Sequence, residues 1–134
     1  MKQVKYDLVL IGATGFTGKL VAEYLAKEYG VKNENFVWAI AGRCKNKLKD
    51  LKNYLNDIDP EAKDLPTLLA DNHDRKSLDS ITSVTRVIIS TVGPYLKYGK
   101  KLVESCTSNG ADYCDLTGEV PFIRESIDSY NMIA

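Results

Sequence analysis

The residues Gly12-Ala13-Thr14-Gly15-Phe16-Thr17-Gly18 join an apolar run to a helix-period segment, and few folds accommodate that junction. Upstream, Tyr6 to Ile11 contains Leu8-Val9-Leu10-Ile11, the unbroken aliphatic sequence of a strand buried on both faces. Downstream, Leu20, Val21 and Leu25 form an apolar stripe over residues 16–29, and Gly30 supplies a helix stop. Glycines between a buried strand and a helix let the main chain turn tightly and approach a ligand without a Cβ in the way. The unpaired N–H groups that open the helix then suit a phosphate. Gly12 is expected to make the turn, Gly15 the close approach and Gly18 the contact of helix on strand. The hydroxyls of Thr14 and Thr17 can donate to phosphate oxygens, with Phe16 beside them at the helix mouth. The spacing is G-x-x-G-x-x-G rather than G-x-G-x-x-G. A nucleotide-free structural turn is the bland alternative, but strand, turn and helix fall in register and favour a ligand.

Apolar runs of strand length alternate with helix-period segments along the rest of the chain. Residues 36–41 read as a second strand, and Leu48, Leu51, Leu55 and Ile58 mark a helix reaching to Pro60. Residues 67–70 form a weaker third strand, Leu78 and Ile81 a short helix, and residues 86–90 a fourth strand before Gly93-Pro94 breaks the chain. Leu102, Val103 and Cys106 face inward from a helix ended by Gly110, residues 111–115 make a fifth strand, and Pro121 opens a last helix carrying Phe122, Ile123, Ile127 and Tyr130. Right-handed βα crossovers then predict an α/β, Rossmann-like fold over residues 1–134. It is a doubly wound parallel sheet of five strands in the order 3-2-1-4-5, without the usual sixth.

Composition narrows the partners. In 134 residues, 18 Lys and Arg balance 18 Asp and Glu, which gives no cationic excess for nucleic acid. No apolar stretch approaches the ~18 residues that a membrane span requires. An apolar content of 44% and a charged content of 27% are those of a globular domain that should fold, or nearly fold, alone. Cys44, Cys106 and Cys114 are odd in number and lack C-x-x-C spacing, so neither a disulfide framework nor a metal site is supported, and a reducing, cytoplasmic setting is expected. No signal peptide is evident at the N-terminus.

The second strand ends in Gly42-Arg43, where an NAD-binding domain usually places an acidic residue for the ribose 2′-hydroxyl. Arginine cannot accept that hydrogen bond but can fork onto a 2′-phosphate, so NADP is favoured and NAD disfavoured. Between residues 43 and 52, five cations face one carboxylate. Arg43 is the phosphate candidate and Lys47 a weaker one, while Lys49 and Lys52 read as a solvated helix face. Asp71 ends the third strand and is placed either at the adenine edge or as a helix cap. His73 reads as a surface loop residue.

Thr91, Val92, Gly93 and Tyr95 follow the fourth strand on the nicotinamide side of the crevice. Small Thr91 and Gly93 would let a cofactor lie against main chain, and Tyr95 is expected to aim toward a substrate. Residues 115–119 end the fifth strand, with Asp115 or Thr117 as the expected cap of the last helix. None of the eight tyrosines has a lysine four places on, so the proton donor pair of short-chain reductases is absent and the catalytic residues stay unassigned.

Together, Gly12-Ala13-Thr14-Gly15-Phe16-Thr17-Gly18, Ala41-Gly42-Arg43, Thr91-Val92-Gly93-Pro94-Tyr95 and Tyr113-Cys114-Asp115-Leu116-Thr117-Gly118-Glu119 resemble the saccharopine dehydrogenase-like oxidoreductases over nearly the whole chain. The resemblance implies an N-terminal NAD(P)-binding domain, followed in the family by a region that carries most of the substrate pocket and is absent here. It implies hydride transfer with a carbonyl, imine or activated alkene, and a relation to the enoyl reductases of lipid and glycolipid synthesis. A small-molecule or lipid-like substrate is expected. Animal-type members imply association with lipid droplets, mitochondria or other membranes. A piece ending at an amphipathic helix should expose apolar surface and tend to self-associate as a homo-oligomer. The competing reading is a non-catalytic module that senses NADP or scaffolds a partner, as NmrA-like proteins do.

Overall fold

β1 (Tyr6–Ile11) is the middle strand of a five-stranded sheet in the computed structural model, which describes residues 2–134. It pairs in parallel with β2 (Trp38–Gly42) on one side and β4 (Thr85–Ser90) on the other, so that Leu10 stands opposite Ile40 and Ile89. β3 (Thr67–Leu69) continues outward from β2 and β5 (Asp112–Asp115) from β4, both parallel. The order is 3-2-1-4-5, as the alternation of patterns predicts. Among the described residues six α-helices connect or follow these strands: α1 (Phe16–Tyr29), α2 (Lys45–Leu55), α3 (Arg75–Thr82), α4 (Tyr95–Tyr98), α5 (Lys100–Asn109) and α6 (Val120–Tyr130).

Strand side chains alternate faces, so the unbroken apolar run of β1 feeds two cores. Leu8 and Leu10 join Trp38 and Ile40 beneath α1 and α2, against Leu25, Leu48 and Leu55. Val9 and Ile11 join Ala39 and Ala41 on the opposite face, against Leu78 and Ile81 of α3 and Leu102 and Cys106 of α5. A third cluster, Tyr95, Val103 and Phe122, seats α6 on α5. Each fully buried Leu or Ile contributes ~1.5–3 kcal/mol relative to exposure, so the two cores set the sheet's position and hence the position of its carboxyl edge.

β3, β4 and β5 each differ from the sequence pattern by one residue at one end, and two larger differences have physical reasons. β2 begins at Trp38 rather than Phe36, because Phe36 turns back onto Tyr29 with ring centroids 4.8 Å apart, and the Val37 N–H donates to the Asp7 carboxylate at 2.9 Å. α2 ends at Leu55: the Ile58 and Asp59 N–H groups both return to the Leu55 carbonyl at 2.9 Å. Asp59 then caps a 3-10 turn, Pro60–Asp64, accepting from Glu61 N at 2.9 Å. Ile58 still packs on the first core, so the apolar spacing outlasts the helix.

α3 and α5 are clasped by a polar cluster. The Asp79 carboxylate accepts from Arg75 Nε at 2.8 Å, Ser105 Oγ at 2.6 Å and Asn109 Nδ2 at 2.9 Å, and Asn109 also donates to Thr82 Oγ1 at 3.0 Å. These donors hold Asp79 below the ordinary carboxylate range, Ser105 first and Arg75 next. Among the described residues no helix is long and apolar enough to cross a membrane, and no His, Cys, Asp and Glu residues group as metal ligands. Cys106 is buried, whereas Cys44 and Cys114 are exposed.

Candidate cofactor site

The glycine turn is built into the sheet rather than resting on it. Gly12 has φ +84°, in the left-handed region, and a side chain there would meet Thr91 Oγ1 and Val92 Cγ2 at 2.7 Å. Gly12 N donates to Ala41 O at 3.1 Å, Thr91 N donates to Ile11 O at 3.0 Å, and Thr91 Oγ1 donates to Gly12 O at 3.0 Å. The ends of β1, β2 and β4 are thereby locked to one another. A Cβ at Gly18 would collide with the Gly12 carbonyl, so α1 approaches β1 only because that position is bare. Gly15 differs. As N-cap of α1 it has φ −77°, and a Cβ there would meet only Gly12 O, at an ordinary 3.5 Å. The fold requires glycine at 12 and 18, and leaves open space at 15.

α1 has neither a side-chain cap nor an acidic residue in its first turn, so its opening N–H groups and the positive end of its dipole are uncompensated by the protein. Gly15, the N-cap of this helix, borders a cavity of about 300 Å³ at the carboxyl edge of the sheet. Gly12, Thr14 and Gly15 form one wall, and Gly42 and Arg43 at the end of β2 the next. Asp71, Asn72 and His73 enter after β3; Thr91, Val92 and Gly93 enter after β4, with Tyr98 beyond them. The crevice lies where strand order reverses between β1 and β4, the switch point at which open parallel sheets bind ligands. Arg43 is exposed at its rim and has no ion-pair partner among the described residues.

Of the residues singled out from sequence, Gly12, Thr14, Gly15, Arg43, Asp71, Thr91, Val92 and Gly93 come together on this cavity. Five do not line it. Gly18 lies buried under the turn, Thr17 is half-buried one residue earlier in α1, and Phe16 projects into solvent with 85% of its surface exposed. Lys47 borders an adjoining pocket with Lys19, Asp50 and Tyr54, which meets the main cavity at Thr14. Tyr95 points inward: it is buried, its phenol donates to Ser90 O at 3.1 Å, and its ring lies 5.9 Å from that of Phe122. The expected aim of Tyr95 toward a substrate is replaced by a core role, and burial pushes its phenol up from the ordinary value.

Asp71 lines the cavity, but its carboxylate accepts from His73 N at 2.9 Å; the cap of α3 is Asp74, which accepts from Lys76 N at 3.0 Å. Neither Asp115 nor Thr117 caps α6. Asp115 accepts from Thr117 N at 2.9 Å and Thr117 Oγ1 from Glu119 N at 3.0 Å, a pair of local turns ahead of the helix. The Thr91 hydroxyl braces the turn, leaving main chain and small side chains to face the crevice. Asn72, His73 and Tyr98 escape sequence reasoning as wall residues. Asn72 is buried and donates to Tyr98 O at 2.9 Å, and His73 stands edge-on to Tyr98 at 5.2 Å. Their only local signal is adjacency to Asp71; the tie to Tyr98 is tertiary.

A doubly wound sheet with an uncapped glycine-turn helix at its switch point defines the dinucleotide-binding class of α/β domain. The chain belongs to the family described as saccharopine dehydrogenase NADP binding domain, whose family model matches residues 8–132. It is 42% identical over 127 residues to the trans-acting enoyl reductase of Mycobacterium tuberculosis, covering 95% of this chain and 29% of that protein. The chain thus spans under a third of the length of the curated relatives it matches. The structure resembles apo saccharopine dehydrogenase (L-Glu forming) from Saccharomyces cerevisiae, with TM-score 0.63 and 18% identity over 90% of this chain and 23% of that one. It also resembles AtPrR2 with NADP+ and (+)pinoresinol, with TM-score 0.60 and 17% identity over 95% of this chain and 47% of the other.

Proposed function

We propose that this chain is the NADP(H)-holding part of an oxidoreductase that reduces an activated alkene. One observation carries the reading: the bare Gly15 edge, the uncapped start of α1 and the unpaired Arg43 converge on a single cavity. A diphosphate bridge fits against the α1 N–H groups, where Gly15 permits close approach, with Thr14 Oγ as a further donor. Arg43 receives the 2′-phosphate in bidentate fashion, which favours NADP(H) over NAD(H). Asp71, Asn72 and His73 border the adenine side, and Thr91 to Gly93 the nicotinamide side. Bound cofactor supplies hydride, and the chain supplies orientation and charge. Lys47 acts as a secondary contact reached across Thr14.

The alkene substrate is taken from the name of the mycobacterial relative, and a lipid-like acyl group from the family resemblance. In a family-length protein the substrate pocket lies in the further region. The buried Tyr95 favours a second reading, a non-catalytic NADP-sensing module, because it withdraws from the crevice the tyrosine nearest the end of β4. Titration calorimetry with NADPH tests the first step, and absence of a heat of binding ends both readings. NADPH oxidation with an enoyl thioester by a family-length protein then separates them: turnover supports the reductase, and binding without turnover by any acceptor supports the sensor.

A further inference from the structure

Glu119 stands outside the cavity yet holds the loop that forms one of its walls. Its carboxylate accepts the main-chain N–H of Tyr95 at 2.6 Å and that of Leu96 at 3.3 Å, across 24 and 23 residues of sequence. Thr117 steers it: the hydroxyl contacts the Glu119 carboxylate at 3.4 Å and accepts the Glu119 N–H at 3.0 Å. Hydrogen bonds from main-chain N–H to an ionised carboxylate are stronger than neutral ones, and Glu119 is half-buried. The residue that opens α6 therefore leaves its own helix uncapped and secures the start of α4 instead.

The consequence falls on residues 91–93. At one end Thr91 is bonded to Ile11 O and Gly12 O, which fixes it to the glycine turn. At the other end Tyr95 is bonded through its N–H to Glu119 and through its phenol to Ser90 O. Thr91, Val92 and Gly93 between these anchors line the cavity, and Glu119 does not. Releasing one anchor leaves two main-chain donors without their acceptor and lets the wall drift from the turn.

We propose that Glu119 is a positioning residue for the cofactor. By clamping Tyr95 and Leu96 it sets the distance between the 91–93 wall and the glycine turn, and so controls affinity for the part of NADP(H) beyond the diphosphate bridge. This rests on the NADP(H) reading above, and the test separates the two. The 134-residue chain is titrated with NADPH and with adenosine 2′,5′-bisphosphate, which lacks the nicotinamide half. Glu119→Ala is expected to weaken NADPH about tenfold while leaving the bisphosphate within about twofold. Glu119→Gln keeps an acceptor oxygen and is expected to recover NADPH to within about threefold of the wild type. Equal loss of both ligands, or loss of neither, overturns the positioning role. Should Glu119→Ala fail to fold, Thr117→Val removes only the steering hydroxyl; a selective loss of NADPH supports the role and an unselective or absent loss overturns it. A wild-type chain that binds neither ligand overturns the reading beneath it, and with it the proposal.

Discussion

The carbonyl oxygen of Gly12 occupies the space that a side chain at Gly18 would need. That contact separates two kinds of glycine in one motif. Gly18→Ala must push α1 off β1 and is expected to destabilise the chain by ~3 kcal/mol or more, the upper range for overpacking. Gly15→Ala meets only ordinary contact at an unstrained φ of −77°, so its stability should stay within about 1 kcal/mol of the wild type. On the proposed NADP(H) reading, NADPH binding by Gly15→Ala should nevertheless fall, because the methyl group would enter the space proposed for the diphosphate. Urea unfolding midpoints and NADPH titrations of the two variants check this; a stable Gly18→Ala, or a Gly15→Ala that binds as well as wild type, contradicts it.

The clasp between α3 and α5 makes stability depend on pH. Hydrogen bonds from Ser105 and Arg75 hold the folded Asp79 carboxyl below its ordinary value of 3.8, so the unfolded chain takes up this proton more readily. The contribution is therefore fully present above about pH 4 and is lost as pH falls through the lower folded value. With the carboxylate 40% exposed, solvent screening keeps the contribution near about 1 kcal/mol. Asp79→Asn should lower stability at neutral pH and flatten its decline below pH 4, measured by thermal melts across an acid series. An unchanged acid profile would refute the clasp.

Burial pushes the Cys106 thiol up to about 12, while Cys44 and Cys114 lie exposed. At pH 8 a thiol reagent should modify two of the three cysteines in the folded chain and the third only after denaturant is added. Cys114 should react below the rate of a free thiol, because partial burial raises its pKa as well. Three fast thiols in the native protein would place Cys106 wrongly.

Strand order was legible because Leu8 to Ile11 could be satisfied only in a strand buried on both faces, and right-handed crossovers from a central glycine-turn strand narrow five parallel strands to a few doubly wound orders, of which 3-2-1-4-5 is a common one. The glycine turn, Arg43 and the residues after β3 and β4 were legible because their positions follow from where strands end. Side-chain direction was not. Nothing local tells Tyr95, one residue past Pro94, to turn inward to Ser90 O, since that choice depends on Phe122 of α6 packing beside it. Tyr98 reaches the cavity for a similar reason, through a bond from Asn72 26 residues away. Ile58 misled by keeping helical spacing in a turn, because burial selects apolar residues without regard to the backbone that carries them.

Affinities of the wild type and of Arg43→Ala for NADPH and NADH test the central claim most directly. Hydrogen bonds to a charged group are worth ~1.5–3 kcal/mol, so Arg43→Ala should weaken NADPH by about tenfold to a hundredfold. NADH, which has no 2′-phosphate for Arg43 to meet, should change by less than about twofold. Equal loss of both nucleotides, or no loss of NADPH, would contradict the assignment of this cavity to NADP(H).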